Sequence, residues 1–125
     1  MKLTKGSFSL ALYGFIMLGV ILACSSGGSS GPTCTGSVVY QGKTYNGEAG
    51  DEDKAKLFAC NNYCVDADPG YEAMYGIWVT SSKGKAAGSP SKDKAIYEDK
   101  DLLDYVTKTC ATKCVATMSP GAACK

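Results

Sequence analysis

Cysteine is the residue on which most chemistry can be argued in this chain. There are seven, and four of them form two matched pairs, Cys60/Cys64 and Cys110/Cys114. A four-residue step puts both sulfurs of a pair on one face of a helix. Cys34 and Cys124 flank the pairs, and Cys24 stands alone near the start. Four clustered thiolates can hold a metal ion, whereas in an oxidising compartment the same side chains close into disulfides. Two other groups can do chemistry. Glu48, Asp51, Glu52 and Asp53 could bind a hard cation or supply a carboxylate pair for sugar hydrolysis, although acidic residues are also the favourable charge at a helix start. Tyr71, Tyr75 and Trp78 recur at helical spacing and form either an aromatic platform for a sugar or peptide or one face of a core.

Composition removes several alternatives. The chain contains no histidine, and all thirteen of its basic residues are lysine. Ser-His-Asp and Cys-His catalysis lose their imidazole base, and haem attachment through Cys-x-x-Cys-His loses its ligand. Without arginine there is no planar fork for phosphate or carboxylate recognition. The formal charge of +1 gives no basic field for nucleic acid.

The first residues carry an address. Lys2 and Lys5 supply a positive start, the stretch from Phe8 to Ala23 is uncharged and mostly apolar, and small Ala23 precedes Cys24. Ser9, Gly14 and Gly19 dilute a run already short for a bilayer span. Ile21-Leu22-Ala23-Cys24 resembles the lipobox of bacterial lipoproteins, departing from the commonest pattern in having Ile21 where leucine is usual and Leu22 where a small residue is. The resemblance implies cleavage before Cys24 and lipid attachment to that cysteine. Ser25 in the following position implies, by the same resemblance, the outer membrane. Two or more acyl chains would tether the protein stably without a spanning helix. The expected organisation is a signal peptide over 1–23, the lipidated cysteine and a Ser/Gly tether over 24–33, and one domain over 34–125.

Setting Cys24 aside for lipid leaves six cysteines, an even number suited to three disulfides. The elements around them favour specific pairs. Asp51, Glu52 and Asp53 can cap a helix running to about Val65, with Leu57, Cys60 and Cys64 on one face. Leu103, Val106, Cys110 and Cys114 mark a stripe on a second helix from about Asp101 to Thr117. If these helices run antiparallel, Cys60 meets Cys114 and Cys64 meets Cys110, and Cys34 pairs with Cys124 by elimination. The two motifs resemble the twin Cys-x-x-x-Cys hairpins of mitochondrial intermembrane-space proteins, but the long stretch from Cys64 to Cys110 and the bacterial type of leader depart from that family.

Thr35 to Gly47 reads as a β-hairpin turning at Gln41-Gly42. Asp68-Pro69 opens a further helix through Trp78, Ser81 to Gly88 reads as a loop, Ser89-Pro90 restarts helix, and Lys92 to Asp104 alternates charges along a solvated helix face. The expected fold is α+β, mainly helical: an N-terminal hairpin followed by about three helices, stapled by disulfides. The expected function is a membrane-anchored envelope lipoprotein with a structural or interaction domain, not an enzyme. It would use no cofactor and no metal, and would meet the membrane through lipid on Cys24 and an envelope protein or glycan through its domain. A small cell-wall- or carbohydrate-acting enzyme using carboxylates, and a four-cysteine metal-binding protein, remain open alternatives.

Overall fold

The computed structural model describes residues 31–125. The expected signal peptide, Cys24 and residues 25–30 of the expected tether lie outside the described residues. The hairpin is present as β1 (Cys34–Tyr40) and β2 (Lys43–Ala49), antiparallel and in register from Cys34 opposite Ala49 to Tyr40 opposite Lys43. Gln41 and Gly42 both take positive φ, 48° and 79°. This is the primed turn that a two-residue hairpin needs to match strand twist.

Asp51 caps α1 (Glu52–Ala67), its side chain accepting from the Lys54 amide at 2.8 Å. The helix lies unusually close to the sheet because Gly36 and Gly47, cross-strand partners, face it. A Cβ at Gly36 would fall on the Ala55 carbonyl, and one at Gly47 on the Ala59 amide. The face that α1 buries is therefore Ala55, Ala59, Cys60, Tyr63 and Cys64. Leu57, expected beside Cys60 and Cys64, stands at the surface with Phe58 instead.

Asp68 caps α2 (Pro69–Thr80), accepting from the Tyr71 amide at 2.9 Å, with proline in the first turn. The segment read as a loop after Thr80 contains a short helix, α3 (Ser82–Ala86), which Ser81 caps and whose Gly84 packs on the Trp78 and Val79 backbone. The Lys92–Asp104 stretch, expected as one helix face, is two short helices, α4 (Lys92–Ala95) and α5 (Lys100–Asp104). Asp99 restarts the second by accepting from the Asp101 and Leu102 amides. From α5 the chain continues through a π-helical segment, Tyr105–Cys110, into α6 (Ala111–Met118).

Leu102, not Leu103, is buried, so the inward stripe reads Leu102, Val106, Cys110 and Cys114. Uniform four-residue steps drift around an α-helix of 3.6 residues per turn. The wider π turn takes up that drift and holds the stripe on one line.

Three disulfides join these layers. Cys60–Cys114 and Cys64–Cys110 bridge α1 to the C-terminal helix with Cα separations of 5.8 and 6.0 Å, as the antiparallel register requires. Cys34–Cys124 joins the sheet to a strand that the sequence did not announce, β3 (Gly121–Cys124), giving the order β2-β1-β3. Cys34 and Cys124 are direct cross-strand partners. The core between sheet and helices is filled by Val38, Tyr45, Tyr63, Tyr71, Leu102 and Val106 around the two helix disulfides. Tyr63 meets Tyr40 and Tyr45 edge to face at 5.0 and 5.8 Å.

Candidate functional site

The sequence-derived candidates are distributed through the molecule. The helix cysteines are closed into disulfides, so in this state their sulfurs offer no thiolate to a metal. Asp51 is occupied as the α1 cap and pairs with Lys54 at 3.2 Å, with Glu52 and Asp53 in the same first turn. Tyr71 is fully buried, Trp78 nearly so, and Tyr75 half-buried. Their polar ends are engaged: the Tyr71 hydroxyl donates to the Lys92 carbonyl at 2.6 Å, the Tyr75 hydroxyl to the Pro90 carbonyl at 2.9 Å, and the Trp78 indole to Asp99 at 3.0 Å. These rings fasten α2 to the 90–99 segment. Burial raises the Tyr71 phenol to about 12, with Tyr75 and Asp93 adding to the shift.

A surface groove of about 610 Å³ lies elsewhere, along α1. Phe58, Asn61, Asn62 and Val65 of α1 form its floor, Asn46 to Glu48 of β2 one wall, and Ile96, Tyr97, Val106 and Thr107 the other. A second hollow of about 420 Å³ shares Asn62, Val65, Ile96 and Tyr97 with the first. Phe58 is 45% and Tyr97 80% exposed, so two aromatic rings stand open at this groove.

The charges around it are internally matched. Asp66 of the second hollow accepts from Lys43 at 2.8 Å and from the Tyr45 hydroxyl at 2.6 Å, and these bonds hold its carboxyl below the ordinary range. Lys92 pairs with Glu72 at 2.6 Å and donates to the Asp66 carbonyl at 3.1 Å. Asp93 accepts from the Ser91 hydroxyl at 2.6 Å and feels the charge of the adjacent Lys94.

One polar group is left over. The Asn61 side-chain oxygen is buried and has no hydrogen-bond partner, the only such buried side-chain atom among the described residues. Buried polar groups without partners are uncommon and call for a cause. The opposite wall contains the π-helical segment, a geometry frequently found at functional sites. Neither Asn61 nor Tyr97 stood out in the sequence. An asparagine in a helix and a tyrosine among charged residues have no periodic signature, and only an unmatched aromatic at a helix break could have marked Tyr97.

No protein-family model, curated protein or solved structure matches this chain. Function has to be argued from the site itself. Among the described residues, no helix is long and apolar enough to cross a membrane, and no group of three or more His, Cys, Asp or Glu side chains is placed to hold a metal ion. What the groove offers is aromatic surface, carboxamides and backbone polar groups, which suit binding.

Proposed function

We propose that this chain is an envelope lipoprotein, anchored through lipid on Cys24, whose disulfide-stapled domain is a binding module and not an enzyme. The cysteine count carries the reading. Six of the seven cysteines pair within the domain, so Cys24 is left over at the position where the leader resembles a lipobox. Disulfides linking distant segments also suit an exported chain, because such bonds persist in oxidising compartments. Binding is favoured over catalysis by the groove along α1, which presents rings and amides and lacks an imidazole, a free thiol or a cation cluster. The anchor is tested by acyl labelling and membrane fractionation of wild type and Cys24→Ser. Labelling of the wild type, with loss of label and release to the soluble fraction in the mutant, is the expected result. Retention of unlabelled Cys24→Ser in membranes would point to an uncleaved helical anchor instead.

A further inference from the structure

We infer that the groove along α1 is a binding site for a neutral oligosaccharide, an assignment that rests on reading the domain as a binding module. Its volume falls in the range of small-ligand sites, and its chemistry narrows the class. Tyr97 and Phe58 offer exposed faces on which a sugar ring can stack. Asn61 offers a buried carboxamide oxygen with no partner, which a hydroxyl or acetamido N–H of a ligand can satisfy once the side chain turns toward it. Charge argues against anions: the only lysine lining either hollow, Lys92, is held by Glu72 and the Asp66 carbonyl. It argues equally against a strongly cationic ligand, because Asp66 is paired with Lys43 and Asp93 feels the neighbouring Lys94 ammonium, which leaves Glu48 as the one lining carboxylate without a cation beside it.

A peptide strand is disfavoured by the edge of β2. In the two-residue hairpin register Asn46 directs its backbone groups outward, away from β1, and its carbonyl is already taken by the Asn62 side chain at 2.6 Å. The ladder cannot extend there without breaking that bond. Polyhydroxylated ligands need no such edge, and they meet the groove through rings and amides.

The test uses the full chain purified in detergent, titrated calorimetrically with N-acetylchitotriose and with maltotriose, the second lacking acetamido groups. Saturable binding of at least one sugar is expected, weakened about tenfold or more in Tyr97→Ala and in Asn61→Ala. Asn61→Ala should keep or slightly raise the melting temperature, since it removes an unsatisfied buried acceptor; a merely structural asparagine would lower it. No heat from either sugar at about 1 mM, or binding unchanged in Tyr97→Ala, overturns the inference. Preferential saturation by unstructured peptides would also overturn it. Acyl labelling of Cys24 in the same preparation separates the two readings, because a labelled protein that binds no sugar refutes the ligand class alone.

Discussion

Gly36 and Gly47 are among the residues with least freedom to change. Each faces the α1 backbone so closely that a Cβ would overlap a main-chain atom, and backbone cannot swing aside as a flexible side chain would. Gly36→Ala and Gly47→Ala are each expected to cost about 1–3 kcal/mol or more, read as a lowered melting temperature. Gly50→Ala, where a Cβ would meet nothing within 4 Å, is the control and should be close to neutral. Asp68 is a second sensitive position. Its carboxylate accepts from the Tyr71 amide at 2.9 Å and from the Tyr105 hydroxyl at 2.9 Å, so one side chain both caps α2 and ties it to the π-helical segment. Asp68→Ala should therefore cost more than an isolated cap, on the order of 2 kcal/mol by chemical denaturation.

Among the elements, α1 and the C-terminal helix depend on their two bridges, and the sheet depends on the third. The disulfides span sequence separations of 90, 54 and 46 residues. For loops of such length the chain-entropy account puts the first bridge removed at about 4 kcal/mol. The Cys64→Ala/Cys110→Ala double variant should show a loss of that order, and full reduction should unfold the domain, followed by circular dichroism with thiol titration. Retention of the native melting temperature after all six thiols become titratable would contradict the stapled-core account. Cys34–Cys124 acts differently from the helix pair. It locks β3 to β1, and because β3 has only four residues its pairing has few hydrogen bonds of its own. Opening this bridge should raise amide exchange in Gly121–Cys124 before α1 is affected.

For the whole molecule, the absence of histidine sets the pH response. Among the described residues, whose six cysteines are all in disulfides, no side chain of ordinary pKa titrates between about pH 5 and 9, so the melting temperature should be nearly flat there. At acid pH the relevant groups are Asp51, Asp66, Asp93 and Asp104. Their carboxyls lie below the ordinary range because of hydrogen bonds, chiefly from the Lys54 amide, Lys43, the Ser91 hydroxyl and Lys100 respectively. A folded pKa below the unfolded one gives stability that is present above about pH 4 and is lost as pH falls through the depressed values. The alkaline side has the opposite sign. Tyr71, raised to about 12 chiefly by burial, contributes stability that is complete below the usual phenol value of about 10 and disappears as pH climbs from there to about 12. Thermal melts across pH 2–12 should show this plateau with two falling shoulders; a transition near neutrality would require a group other than these.

Much of the fold was legible in the sequence because it rests on local rules. Asp51 and Asp68-Pro69 mark helix starts by capping chemistry, Gln41-Gly42 marks a turn because β-branched and aromatic residues flank it on both sides, and equal four-residue cysteine steps admit antiparallel pairing in register. The proposed lipid address rests on the sequence alone, on the resemblance of Ile21-Leu22-Ala23-Cys24 to a lipobox. Tertiary structure alone decided the rest. It decided that Leu57 faces outward, and that Ala55 and Ala59 are the residues whose backbone meets Gly36 and Gly47. It chose Leu102 over Leu103, because a π-helical turn resets the phase of the stripe. It made a strand of Gly121–Cys124, whose four residues have no pattern until β1 supplies a partner. Above all it assembled the groove, since Phe58 and Asn61 stand on α1 while Tyr97 follows α4, and they acquire a common surface only when packing brings those elements together.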